Sequence, residues 1–117
     1  MNYHLVWCPR RRKKVLQGDI KNRLEDIIKE VCKEQKVKIL SMEVMPDHLH
    51  LFVSSHPDLY IHELIRRIKG RSARCLRKEY PELLKLPSMW THSYFISTAE
   101  NVRSDIIRRY IAEQRKQ

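Results

Sequence analysis

The chain has 117 residues, with 24 Lys and Arg against 14 Asp and Glu, for a formal net charge of +10. This length holds one domain, and 42% hydrophobic residues give it a core, which excludes a disordered basic tail; only two glycines exclude a collagen-like or linker sequence. So much positive charge on so small a body makes a polyanion the default partner.

Tyr3 to Cys8 reads as a short strand of aromatic and β-branched residues stopped by Pro9. Arg10-Arg11-Arg12-Lys13-Lys14 follows, a cationic run expected on a solvent-facing loop. Asp19 is a candidate N-cap for a helix in which Leu24, Ile27, Ile28 and Val31 recur at helical spacing, to about Gln35. Val37 to Val44 predicts a strand, Pro46-Asp47 a turn, and His48 to Ser54 the second strand of a hairpin. Asp58 is the candidate cap of a long helix from about Leu59 to Tyr80, striped by Ile61, Leu64, Ile65, Ile68 and then Cys75 and Leu76. Gly70 inside it costs about 1 kcal/mol against Ala and marks a bend or a close approach. Pro81 stops that helix, and Leu83 to Pro87 connects it to a last strand, Met89 to Ser97. After a break at Thr98 to Asn101, a closing helix runs from Val102 to about Gln114.

The order β-α-β-β-α-β-α predicts an α+β fold in a single domain spanning 1–117. It is a ferredoxin-like β-α-β-β-α-β sandwich with an antiparallel sheet, its two helices on one face, and an added C-terminal helix. Cys8, Cys32 and Cys75 form no CxxC pair, which points to reduced thiols and away from a zinc ribbon or disulfide scaffold. No apolar run spans a bilayer, and the apolar-then-basic start is the reverse of a secretory signal, so a cytoplasmic location is expected.

Two groups of residues carry chemistry. On a strand, His48 and His50 point to one face with Phe52, while Leu49, Leu51 and Val53 point to the other. Two neutral imidazoles on an open sheet face suit a divalent metal, with Asp47 or Glu43 near enough in sequence to hold a second ring nitrogen. An HxH pair alone fits two surface histidines equally well. On the closing helix, Tyr110 and Gln114 are four residues apart and share a face. A phenol is a competent covalent nucleophile toward a phosphodiester if a metal withdraws charge, and Gln114 offers a neutral oxygen as a third ligand. That mixed set suits Mg²⁺ or Mn²⁺, Mn²⁺ better on ligand softness. A half-buried packing tyrosine is the plainer alternative.

The chain resembles the HUH-type single-tyrosine transposases of small, hairpin-ended insertion sequences, the insertion-sequence 200/605 type that includes the repeat-associated tyrosine transposases. The resemblance runs nearly end to end. It rests on Tyr3-His4-Leu5-Val6-Trp7-Cys8-Pro9 with the basic run, Val44-Met45-Pro46-Asp47-His48-Leu49-His50-Leu51, Ile68-Lys69-Gly70-Arg71-Ser72-Ala73, Trp90-Thr91-His92-Ser93-Tyr94-Phe95, and Tyr110-Ile111-Ala112-Glu113-Gln114. It implies His48 and His50 as the metal-binding pair, Gln114 as the third ligand, and Tyr110 as the nucleophile that forms a 5′-phosphotyrosine link and releases a 3′-OH. It further implies single-stranded DNA with a hairpin as substrate, and a homodimer whose tyrosine helices complete each other's sites. Many relatives place a glycine in the link before the last helix; here Ser97-Thr98-Ala99-Glu100-Asn101 has none, and Glu100 is expected to stiffen it.

For DNA contact, Arg10, Arg11, Arg12 and Lys13 join Arg67, Arg71, Arg74 and Lys78, a stripe at helical spacing, in a candidate phosphate track with salt-sensitive binding. His92, Tyr94 and Trp90 are candidates for stacking on unpaired bases, Trp90 competing with a core role. A ferredoxin-like nucleic-acid-binding module without cleavage also explains the charge, but not Tyr110 and Gln114. A metal hydrolase using water needs ligands beyond His48 and His50, and His56 and His62 are poorly placed for that.

Overall fold

The strict alternation of His48–Ser54 requires a sheet with one dry face and one wetter one. In the computed structural model, which describes residues 1–98 and 104–116, that segment is an inner strand. The elements in chain order are β1 (Asn2–Trp7), α1 (Gly18–Glu34), β2 (Lys38–Met45), β3 (His48–Ser54), α2 (Ile61–Glu79), β4 (Phe95–Ser97) and α3 (Ser104–Glu113). Short 3-10 turns lie at Arg10–Arg12, Pro81–Lys85 and Gln114–Lys116. The sheet order is β2-β3-β1-β4 with every pairing antiparallel, the ferredoxin-like arrangement expected from the element order.

Register decides which side chains are buried together. Leu5 pairs with Leu51 and Trp7 with Leu49, while Val44 pairs with Leu49 from the other side. These residues form the main core with Leu24, Ile27 and Ile28 of α1 and Leu64, Ile65 and Ile68 of α2. Each such side chain stabilises the fold by about 1.5–3 kcal/mol through burial. On the opposite sheet face, α3 packs Ile107 and Ile111 onto Val6 and Cys8, with Phe95 and Tyr110 beside them. The histidine face is therefore partly roofed by α3. Burial lifts the Cys8 thiol to about 12, with Asp47 adding to the effect, so this cysteine is inert packing.

Several local expectations give way to specific forces. Asp19 and Asp58 cap nothing. Gln17 and Tyr60 hold the cap positions without a side-chain hydrogen bond, and Gly18 turns the chain at φ 58. The last strand is only Phe95–Ser97, because Trp90 turns into the core and meets Pro9 in an isolated bridge. Gly70 accompanies no close approach, since a Cβ there would meet nothing within 4 Å. The link at residues 99–103, with Glu100 and the predicted helix start at Val102, lies outside the described residues. Among the described residues, no helix is long and apolar enough to cross a membrane.

Leu51 and Ile111 should fail differently. Leu51→Ala, at a fully buried core position, should lower unfolding free energy by about 2–5 kcal/mol in urea titration. Ile111→Ala should chiefly raise amide hydrogen exchange along α3, leaving the sheet's protection nearly intact. Equal loss of protection across sheet and α3 in Ile111→Ala would contradict a separate small cluster.

Candidate active site

The site starts at the hairpin turn. The carbonyl of Pro46 accepts the backbone N–H of Leu16 at 3.0 Å, which fixes the turn against the segment leading into α1. Asp47, only 8% exposed, then receives two hydrogen bonds, from Arg12 Nε at 2.7 Å and from His48 Nδ1 at 2.8 Å. Burial alone would raise its pKa, but these two donors hold the carboxyl below its ordinary value. As an acceptor-only carboxylate, Asp47 makes Nδ1 of His48 the protonated nitrogen and leaves the Nε2 lone pair for a metal.

His50 stands beside His48 with ring centroids 5.0 Å apart. Its Nδ1 lies 3.2 Å from Nε2 of His4, across the β1–β3 ladder. When His50 donates that hydrogen bond, its own Nε2 is a free ligand nitrogen. Burial, then the neighbouring His48 and His4, lower the pKa of His50, with Glu43 opposing. A neutral imidazole is the form that binds metal. The two histidines thus fit a divalent ion as a pair. Among the described residues, no cluster of three or more His, Cys, Asp and Glu side chains could hold one.

Tyr110 and Gln114 face elsewhere. The Tyr110 hydroxyl lies 3.3 Å from Ser93 Oγ, and its ring packs near Phe95 of β4 at 6.0 Å. Burial pushes its pKa up to about 12, so it rests as a phenol. Gln114, 2% exposed, accepts from Ser93 Oγ at 2.7 Å through Oε1 and donates Nε2–H to the Tyr110 carbonyl at 3.0 Å. Strand β1 therefore separates the tyrosine from the histidines, two strand spacings or about 10 Å of sheet. The other side of α3 lines a cleft of about 590 Å³ with Ile107, Arg108, Ile111, Arg12, His48 and His50. The sequence expectation that brought His48, His50 and Gln114 together is not met within this one chain.

The cationic residues also divide. Arg12 is tied to Asp47, and Arg10 donates to Ser88 Oγ at 3.2 Å, while Arg11 and Lys13 are exposed. The run is thus not wholly a solvent-facing loop, because Arg12 is half-buried by its carboxylate. On α2, Arg67 pairs with Glu63 and Arg71 with Glu34 and Glu30; Arg74 and Lys78 are exposed. The α2 stripe belongs to the helical layer, across the sheet from the histidines, and Arg11 and Lys13 line a cleft with Ile20 of α1 and with Glu82, Leu83 and Lys85 of the turn after α2. A second cleft of about 610 Å³, beside α2, holds a ladder of Tyr60, His62 and Tyr94 with ring centroids 5.3 and 5.6 Å apart. Trp90 is core: its indole N–H donates to Ser72 Oγ at 3.0 Å, and its ring meets Trp7 edge-on. His92 is exposed.

Sequence reasoning named Asp47 but missed His4, Ser93 and Arg108. His4 alternates with Leu5 and so had to share a face with Val6, yet its pairing with His50 depends on a register 46 residues apart. Ser93 carries no signal beyond its place near Trp90 and Tyr94.

Comparison with known proteins gives consistent matches. The family described as "Transposase IS200 like" matches residues 1–114. The ISDra2 transposase TnpA of Deinococcus radiodurans is 37% identical over 97% of this chain and 84% of its own length. The transposase for insertion sequence element IS200 of Salmonella typhimurium is 24% identical over 82% of this chain and 65% of its own. A crystal structure of a candidate transposase from Deinococcus radiodurans R1 superposes with a TM-score of 0.89 at 30% identity, covering 97% of this chain and 90% of that one. A REP-associated tyrosine transposase bound to a REP hairpin shares the fold, with a TM-score of 0.65 at 18% identity over 94% of this chain and 61% of that one.

The lowered pKa values of His4 and His50 have a signed consequence. Below the ordinary value of 6.5, the unfolded chain takes up protons that these folded imidazoles refuse. Stability measured in EDTA should therefore fall as the pH is lowered from 6.5 through the depressed values. The double variant His4→Gln, His50→Gln should flatten that slope; an unchanged slope would contradict the assignment.

Proposed function

The chain belongs to the IS200-like transposases, and from that premise we propose that it cuts and rejoins single-stranded DNA at hairpin-bearing ends, with Tyr110 as nucleophile. The observation that carries the reading is the paired histidines on the sheet face that α3 roofs, each with Nδ1 held by a neighbour. A tyrosine helix lies on the same face, whereas a simple binding sheet needs neither. A divalent ion, Mg²⁺ or Mn²⁺, held by His48 and His50, would withdraw charge from the scissile phosphate.

The chain's own residues do the rest. Asp47 and His4 fix ring orientation and tautomer, and Arg12 keeps Asp47 ionised. The Tyr110 oxygen attacks phosphorus; the Oη–P bond forms as the P–O3′ bond breaks. The phenol proton is lost, and the departing 3′-oxygen takes up a proton to become the 3′-OH. Rejoining reverses this, with a 3′-OH displacing the tyrosine. A phenol whose pKa lies near 12 attacks only when its proton is drawn off at the moment of reaction, so little adventitious cleavage is expected.

Because β1 stands between Tyr110 and the histidines in one chain, the working enzyme is a homodimer in which the tyrosine helix of one subunit, with Gln114 as third ligand, serves the histidines of the other. Hairpin DNA is supported by the fold neighbour bound to a REP hairpin. Exposed Arg11, Lys13, Arg74 and Lys78 are available to phosphates, and the Tyr60, His62 and Tyr94 ladder offers stacking faces to unpaired bases.

Incubation with a single-stranded oligonucleotide carrying an imperfect hairpin and Mn²⁺ should give a covalent protein–DNA adduct on a denaturing gel. EDTA and Tyr110→Phe should each abolish it. Cleavage persisting in Tyr110→Phe would sink the tyrosine mechanism, and hairpin binding without an adduct under any divalent ion would favour a binding module.

A further inference from the structure

One hydroxyl engages both residues of α3 that the proposed reaction requires. Ser93 Oγ donates its single proton to Gln114 Oε1 at 2.7 Å, so at its 3.3 Å contact the Tyr110 hydroxyl is the donor. Gln114 is then used at both ends of its amide and is buried, with Nε2 on the Tyr110 carbonyl. A buried oxygen already accepting a hydrogen bond is not presented to a metal in either subunit.

Ser93 itself is firmly held. Lys69 Nζ, reaching across from α2, donates to the carbonyls of Thr91 at 2.8 Å and Ser93 at 3.3 Å. Thr91 Oγ1 donates to the Ser93 carbonyl at 3.4 Å, and Ser72 anchors neighbouring Trp90. By contrast, α3 meets the sheet through a separate apolar cluster of Val6, Cys8, Ile107 and Ile111, with Phe95 and Tyr110 packed against it. The segment carrying Ser93 is braced by the main core, and α3 docks through a cluster of its own.

We propose that Ser93 is a positioning residue that latches Tyr110 and Gln114 in a docked, resting arrangement, from which both must be released together for the site to assemble. The inference rests on the reading of Tyr110 as nucleophile and Gln114 as ligand. The two side chains are one turn apart on one helix and share the Ser93 hydroxyl, with Thr91 a further side-chain hydrogen-bond partner of Tyr110 alone, so a single displacement of α3 frees both. The requirement holds whether α3 serves its own histidines or those of a second copy.

Ser93→Ala removes the latch and Ser93→Thr keeps a hydroxyl; Ser93→Gly is a second deletion variant should Ala perturb folding. Without metal or DNA, hydrogen exchange at residues 105–113 should speed up about fivefold in Ser93→Ala, the effect of losing one hydrogen bond, and stay at the wild-type rate in Ser93→Thr. With saturating hairpin oligonucleotide and Mn²⁺, single-turnover adduct formation should rise by a similar factor in Ser93→Ala and be restored to the wild-type rate in Ser93→Thr. A slower reaction with unchanged exchange in the deletion variants would overturn the latch and place Ser93 in the chemistry. Unchanged exchange and unchanged rate would overturn it as well. Absence of any adduct in the wild type would instead sink the tyrosine reading, while the exchange comparison would still decide whether Ser93 holds α3.

Discussion

In an extended strand successive side chains take opposite faces, and β3 uses that constraint twice. Leu49, Leu51 and Val53 enter the dry core beneath α1 and α2, which forces His48, His50 and Phe52 onto the other face. A slip of one residue would bury two imidazoles and expose three apolar side chains. Core packing therefore fixes the direction in which the histidines point, and neither α1 nor α2 can roof them. That task falls to α3.

Fine orientation is electrostatic. Arg12, Asp47 and His48 form a chain of charge-assisted hydrogen bonds, and an isolated carboxylate this buried would be costly. His4 does the corresponding work for His50 without charge. On the far side of β1, Lys69 braces the segment that carries Ser93, and Ser93 engages Tyr110 and Gln114. Histidines and tyrosine thus each rest on their own support, built from different parts of the chain.

The histidine pair was legible because period-two alternation leaves little freedom, and Tyr110 with Gln114 because four residues make one helical turn. The ferredoxin-like order followed from the same periodicities. Helix caps were misread where Gly18 and Tyr60 set the chain direction by backbone conformation, which no polar side chain announces. The predicted strand at Met89 failed because Trp90 gains more from burial and from Ser72 than from ladder pairing. Arg12 was assigned to solvent because its partner Asp47 lies 35 residues away. The Ile68-Lys69-Gly70-Arg71-Ser72 stretch was visible as a pattern, but its work is three-dimensional: Lys69 and Ser72 clamp the segment carrying Trp90 and Ser93. Sequence spacing could not show that Tyr110 and the histidines stand on opposite sides of β1, since this depends on which way α3 rolls on Val6 and Cys8.

In the proposed shared site a second subunit bridges that separation, and mixing two singly defective proteins tests the sharing most directly. His48→Ala keeps its tyrosine and Tyr110→Phe keeps its histidines; each alone should form no adduct. After subunit exchange, a shared site should return about one quarter of the wild-type adduct, since half the dimers are mixed and each has one complete site. No adduct from a mixture shown to have exchanged subunits would contradict sharing and place the tyrosine and histidines of one chain in the same site.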